Sequence, residues 1–305
     1  MSRQSFWQGF WRLADPKISL ASFAGLWLGA CAAAADGNLH WGWLALTVIG
    51  VFCVEVAKNA SGEIVDYDRG TDLAVSDAER TPFSGGMRVM VDGLLTRAQT
   101  GQIATVFFLA GRAIGLVLVF MVNRQILYFG LAGMALALFY HASPLRLSYR
   151  GLGEAAVALA YGPLVVCGTY FVQTGSVAAP LLHIACALGL HIAGFLLINE
   201  FPDARADQTA DKRHLVVRLG PDKAAFSYVV LVACAYCWLG FTALAYPQAS
   251  GYLWGLAGLP LAAFSAWRLL HNTDDIAALV PAQAATLGGF VLMAFGAGSG
   301  YLLMT

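Results

Sequence analysis

The chain has 305 residues, 59% of them hydrophobic and 12% charged, and its 18 basic and 18 acidic side chains cancel to a formal charge of zero. A charged share roughly half that of an ordinary soluble domain excludes a water-soluble globule. The neutral balance gives no footing for nucleic acid, and no protein partner is implied.

Residues 1–16 set Trp7, Phe10 and Trp11 among Arg3 and Arg12, which suits a short helix lying in a membrane interface. Crossing a hydrocarbon core of about 30 Å takes roughly 20 mainly apolar helical residues. Nine stretches meet that need, at 18–36, 41–58, 101–122, 125–142, 154–173, 180–200, 223–246, 250–270 and 282–304. The first begins late and is long enough to span, so it reads as a span and not as a cleaved leader. With the N-terminus inside, 16 of the 18 Lys and Arg residues fall on cytoplasmic ends or loops, leaving Arg124 outside and Arg112 within a span. The expected fold class is therefore all-α: one domain over 1–305, a polytopic membrane bundle of nine transmembrane helices with cytoplasmic cap loops. Its ends lie on opposite sides.

The second span runs into KNASGEIVDYDRGTD at 58–72. If the helix continues, Asn59, Glu63 and Asp66 share one face at i, i+4 and i+7. Hard oxygens in that arrangement suit Mg²⁺, which takes a few carboxylates together with phosphate oxygens and water. Asp68 and Asp72 lie off the stripe, although a turn at Gly70 would bring Asp72 back. Next comes ERTPFSGGMRVMVDGLL at 79–95, where Arg80 and Arg88 flank a Ser-Gly-Gly turn. Its backbone N–H groups suit an anion-binding concavity, and arginine matches phosphate oxygens. The alternative for both arginines is a positive-inside anchor.

Arg112 must face protein or a wet cavity. Glu154 opens the fifth span, as an acid at a helix N-terminus does. His183 and His191 share a face of the sixth span without a third ligand to make a metal site. That span ends in NEFPDARADQTADKRHLVVRLG at 199–220, where Asn199, Asp203, Asp207 and Asp211 recur every four residues. Like charges at that spacing destabilise a lone helix, so a cation should compensate, or the loop is solvated and pairs with Arg205, Lys212 and Arg213. Two clusters that begin with Asn at the ends of apolar spans also make an internal echo, suggesting two facing half-bundles. The six cysteines all lie in apolar stretches, the CxxC of Cys234 and Cys237 included, and read as packing.

These segments resemble the UbiA superfamily of intramembrane prenyltransferases, and within it the branch of 1,4-dihydroxy-2-naphthoate polyprenyltransferases of menaquinone synthesis. Three blocks carry the likeness: NASGEIVDYDRGTD at 59–72, YHASPLRLSYRGLGEAAVALAYGP at 140–163 with YFVQTG at 170–175, and DARADQTADKRHLVVRLG at 203–220. It covers nearly the whole chain. The resemblance implies nine helices around a cavity, with two Asp-rich motifs holding Mg²⁺ and a polyprenyl diphosphate beneath a cytoplasmic cap. The implied metal ligands are Glu63, Asp66, Asp72, Asp203 and Asp207, and the implied catalytic groups are Asp66, Asp203, Asp207 and Lys212. Substrate-binding roles are expected for Asn59, Arg80, Arg88, Tyr140, Tyr149 and Asn199, with membrane lipid around the protein, in a bacterial inner membrane. Two positions depart from the family pattern. The usual Asn-Asp pair reads Gly62-Glu63, and an Arg often preceding the second motif's first Asp is Pro202.

The implied chemistry is transfer of a polyprenyl group to an aromatic acceptor. The leaving diphosphate is neutralised by Mg²⁺ and by cations from Lys212, Arg80 and Arg88, and an allyl cation is shielded by Tyr140, Tyr149 or Tyr161. Two other readings stand beside it. One is the same fold acting on another acceptor, such as 4-hydroxybenzoate, homogentisate, a porphyrin or a lipid alcohol. The other is a cation-coupled transporter, whose paired acids would sit near the bilayer midplane.

Overall fold

Each apolar stretch is helical in the computed structural model, which describes residues 3–304 and has no strand among them. Met1, Ser2 and Thr305 lie outside it. The interfacial helix is α1, Arg3–Ala14, followed by α2, Pro16–Ala35, and α3, Trp41–Arg69. A single turn, α4 at Thr71–Ala74, leads into the cap loop and then to α5, Arg97–Met121, and α6, Ile126–His141. The rest comprises α7, Gly153–Thr174, α8, Ala179–Thr209, α9, Leu215–Leu219, α10, Pro221–Ala245, α11, Pro247–His271, and α12, Ile276–Met304.

Among the described residues, eight helices are long and apolar enough to cross a membrane, and the protein is integral to one. The ninth expected span is α6, which has 16 residues and a length of about 24 Å. Its two ends nevertheless reach opposite ends of the bundle. Ile126 packs with Leu118 and Val119 of α5 and with Phe171 and Val172 of α7, whereas the His141 ring lies against Gly62.

Helix length positions the site. With 29 and 31 residues, α3 and α8 are about 44 and 46 Å long and overshoot a core of about 30 Å by two to three turns. The overshoot carries the two acidic motifs. α3 ends where Gly70 takes a left-handed conformation, φ 79°, and its N–H returns to the Tyr67 carbonyl at 3.0 Å. α7 is broken by one wide π turn over Ala160–Leu164, where Pro163 has no N–H to give. There Gly162 meets Gly189 of α8 so closely that a Cβ on Gly189 would lie 2.3 Å from the Ala158 carbonyl oxygen.

Two placements differ from expectation. Arg112 is exposed on the outer surface of α5 instead of facing protein or cavity, because the inner face of that turn is held by Gly111 against Val54. Cys234 and Cys237 are likewise exposed on the outside of α10.

Candidate active site

At the motif end, α2, α3, α8 and the cap loop enclose a cavity of about 1190 Å³. α3 presents Asn59, Glu63 and Asp66 to it along one face, and Gly70 does bring Asp72 back into the wall. α8 faces them with Asn199, Glu200, Asp203 and Asp207. The two motifs are linked by one cation. Lys212 Nζ sits 3.2 Å from Asp207 and 3.9 Å from Asp66, and these carboxylates hold its pKa well above the ordinary value although burial opposes this.

Each acid has a distinct environment. Glu63 Oε1 accepts the Met90 N–H at 3.2 Å, and its other contact is the Asp72 carboxyl. Burial, and then the charges of Glu63 and Asp66, push the Asp72 pKa up to about 8. Asp66 accepts the Tyr149 hydroxyl at 2.7 Å. Asp207 shares one oxygen between Lys212 and His214, the latter at 3.2 Å, and His214 reaches Glu200 on its other nitrogen at 3.1 Å. Burial alone would lower the His214 pKa, but its contacts with Asp207 and Glu200 carry it up to about 9. Asp72 Oδ2, Asn199 Oδ1 and Asp203 Oδ1 are buried and accept no hydrogen bond.

Those orphaned oxygens give the test for a hard divalent cation. Among the described residues, no three acidic, imidazole or thiol groups gather tightly enough to hold an ion by themselves. Mg²⁺ does not require that. It keeps several waters and is held through one or two carboxylates and a substrate's phosphates. Bare oxygens on both walls of a polar cavity fit it, and burying them unpaired is otherwise costly.

Several residues expected to bind substrate make hydrogen bonds within the framework. Arg88 does not line the cavity. It adopts φ 50°, and Nη1 donates to the Asp72 and Val75 carbonyls at 3.1 and 2.8 Å, so it braces the turn that presents Asp72. Tyr149 lies behind Asp66, its ring flanked by Arg69, Arg146 and Lys212 with charge-to-centroid distances of 5.0, 4.9 and 5.9 Å. Asn59 lines the cavity, but its amide donates to the Leu13 carbonyl at 2.9 Å, capping the end of α1. The Ser-Gly-Gly turn meets the protein's own anions: the Gly85 amide lies against Asp203, and a Cβ on Gly86 would fall 2.3 Å from Asp72 Oδ1. Asp211 leaves the expected stripe because α8 stops at Thr209; it is exposed and pairs with Arg213 at 3.0 Å. Arg80 and Tyr140 line the cavity.

Sequence reading missed Glu200, His214 and Lys58. Glu200 stands seven residues before Asp207, the same helical spacing that singled out the other acids. His214 offered no such period, since it follows a break.

A second, apolar groove of about 240 Å³ runs between α3, α5, α6 and α7. It shares two residues with the polar cavity, Lys58 and Tyr140. A charged chamber beside an apolar groove, with Lys58 and Tyr140 lining both, suits an amphiphile with an anionic head.

Comparison with known proteins agrees with that geometry. The chain belongs to the UbiA prenyltransferase family, which it matches over residues 22–287, and it is a prenyl-transferring enzyme. It is 27% identical over 263 residues to the 1,4-dihydroxy-2-naphthoate octaprenyltransferase of Haemophilus influenzae, covering 83% of each chain. The Mycobacterium tuberculosis enzyme of the same name is 30% identical over 223 residues, 73% of each chain. In fold it is similar to a UbiA homologue from Archaeoglobus fulgidus bound to GPP and Mg²⁺, with a TM-score of 0.61 at 15% identity over 95% of this chain and 99% of that one. The apo UbiA homologue of Aeropyrum pernix K1 gives 0.62 at 18% identity over 97% and 98%. Family membership sets the transporter reading aside, as does the position of the acids at one end of the bundle.

Proposed function

We propose that the enzyme transfers a polyprenyl group from its allylic diphosphate to an aromatic acceptor, 1,4-dihydroxy-2-naphthoate, at the cytoplasmic face of a bacterial inner membrane. The observation that carries this reading is the juxtaposition of the two cavities: carboxylates, Lys212 and Arg80 line the polar chamber, and a glycine-rich apolar groove shares Lys58 and Tyr140 with it. The names of the relatives support the naphthoate acceptor.

In this reading the diphosphate lies in the polar chamber and its tail follows the groove. Glu63, Asp66, Asp72 and Asp203 would hold Mg²⁺, whose positive charge would make the diphosphate a better leaving group. Asp207 instead keeps Lys212 and His214 in place, and Lys212 and Arg80 offer direct cationic contacts to the phosphate oxygens. The carbon–oxygen bond of the allylic ester breaks with its electron pair leaving on diphosphate. The acceptor ring supplies the electrons of the new carbon–carbon bond, then regains aromaticity by losing the proton or carboxylate on that carbon. Tyr140, at the junction, presents an aromatic face to the allyl cation. Burial of the junction keeps water from capturing that cation.

The test is turnover by purified protein of a radiolabelled polyprenyl diphosphate with 1,4-dihydroxy-2-naphthoate and Mg²⁺. A prenylated naphthalene product is expected, and none should form with a chelator. Product from 4-hydroxybenzoate or homogentisate and not from the naphthoate would replace the acceptor. Labelled diphosphate left intact with every acceptor would overturn the reading.

A further inference from the structure

Lys58 has no place among the expected site residues, yet it stands where the reaction must occur. A prenyl diphosphate lying across the two cavities has its scissile carbon between head and tail, at the neck formed by Lys58 and Tyr140. An attacking ring carbon must come within about 3–3.5 Å of that carbon. Groups at the neck therefore touch the reacting partners.

The Lys58 ammonium forms no ion pair among the described residues, and lies 5.1 Å from the centroid of the Tyr140 ring. The charges it feels most strongly are Glu55, then Asp15 and Asp66. Helical side chains lean toward the N-terminal turn, so Lys58 leans from the Asn59–Asp66 stripe toward Glu55, one turn deeper. Glu55 is buried, its Oε1 accepts Ser22 Oγ at 2.5 Å, and Tyr161 from the π turn of α7 also faces it. The phosphate end already has Lys212 and Arg80, whereas Lys58 is the basic side chain that the apolar groove reaches. A lone ammonium beside a forming allyl cation is repulsive unless an anion sits between them. Glu55, held by Ser22, is one counter-charge, and a second anion delivered by the acceptor would complete the balance.

We infer that Lys58 is the acceptor-selecting residue: its ammonium pairs with a carboxylate on the aromatic acceptor and sets the ring against Tyr140 at the neck. This rests on the proposed prenyl transfer to an aromatic acid. Glu55 competes for the same ammonium and so tunes how tightly an acidic acceptor is held. Acceptors without an acid group would gain nothing from Lys58.

The experiment compares 1,4-dihydroxy-2-naphthoate with 1,4-naphthalenediol, which lacks the carboxylate, in wild type and in Lys58→Met, Lys58→Arg and Glu55→Gln. Lys58→Met should raise KM for the naphthoate by roughly 30-fold or more, at least about tenfold more than it raises KM for the diol or for the prenyl diphosphate. Lys58→Arg should restore most of the naphthoate affinity. Glu55→Gln keeps the Ser22 contact but removes the competing charge, so it should lower KM for the naphthoate severalfold, a gain that damage to the fold would not produce. Equal losses on both acceptors in Lys58→Met, or a change confined to the diphosphate KM, overturn the assignment. Should Lys58→Met fail to fold, an unchanged or raised naphthoate KM in Glu55→Gln overturns it by itself. If wild type turns over neither naphthalene acceptor, the proposed function has failed, and that result precedes any variant.

Discussion

Deleting the Asp203 carboxylate and deleting the hydroxyl that steadies Asp66 should have very different consequences. Asp203 lines the cavity and carries a buried, unpaired oxygen; if it holds the metal as proposed, Asp203→Ala should lower turnover by roughly three orders of magnitude or more while the folded protein persists. Asp66→Ala belongs with it. Tyr149→Phe removes a single hydrogen bond to a carboxylate, worth about 1.5–3 kcal/mol, and Lys212 still faces Asp66. Its loss of turnover should therefore be about tenfold to a hundredfold, and a full collapse equal to that of Asp66→Ala would show that Tyr149 touches substrate. Single-turnover rates on purified variants read this directly. Arg88→Lys is a third case, because the arginine binds two carbonyls of the Asp72 turn and no cavity surface. It should weaken metal activation, raising the Mg²⁺ needed for half-maximal rate, instead of acting on diphosphate affinity alone. Sequence spacing revealed the carboxylates because a helix converts i, i+4 and i+7 into a common face. It did not reveal where Arg88 and Tyr149 point, since the partners of Arg88 are backbone carbonyls and the partner of Tyr149 is 83 residues away.

The cap loop depends on few ties between elements, and one of them titrates. Arg205, just past Asp203 on α8, donates to Glu79 Oε2 at 2.6 Å and to the Ala74 carbonyl at 3.2 Å, closing the loop over the cavity. The Arg205 hydrogen bond holds the Glu79 pKa down to about 2, below its ordinary value of 4.5. A depressed acid stabilises the fold fully above its ordinary value, and that contribution disappears as pH falls through about 2. The pair contributes little to global stability, because the arginine is largely exposed and solvent screens it. Arg205→Met should thus leave global stability almost unchanged while raising hydrogen exchange across residues 75–92 at pH 7. Wild type should keep its protection down to about pH 4.5. Loop exchange identical in the two proteins would mean that the cap is held elsewhere, at Arg12 and Asp92 for instance, 2.6 Å apart. Helix existence and order were legible from apolar length at this scale, and so was the return of Asp72 after Gly70. The end of α8 at Thr209 was not, because Asp211, Lys212 and Arg213 continue a polar helical pattern that tertiary ion pairs interrupt.

Across the whole molecule the helices alternate between two ends, which makes the number of crossings testable. At one end lie the cap loop, His141, and the acidic motifs; at the other, the His40 N–H reaches Gln173 at 2.8 Å, Tyr170 bonds Asp36, and Gly251 of α11 meets Gly300 of α12. The deciding member is α6, short for a bilayer but placed from Ile126 at the far end to His141 at the cavity. If it crosses, bilayer thinning or polar flanks accommodate a mismatch of about 6 Å at modest cost. Nine crossings then put Met304 and Asn38 outside and Arg213 in the cytoplasm, as the basic loops require. Single cysteines at Asn38, Arg213 and Met304, in a background with the six native cysteines replaced by alanine, separate the outcomes. In intact cells a membrane-impermeant maleimide should label Asn38→Cys and Met304→Cys, and should reach Arg213→Cys only after permeabilisation. Labelling of Asn38→Cys without Met304→Cys would mean an even number of crossings, with α6 lying in the membrane and not through it. The packing opposes that outcome: without α6 as a crossing, the loops after α3 and after α8 would fall on opposite sides of the membrane, whereas Lys212 ties Asp66 of α3 to Asp207 of α8.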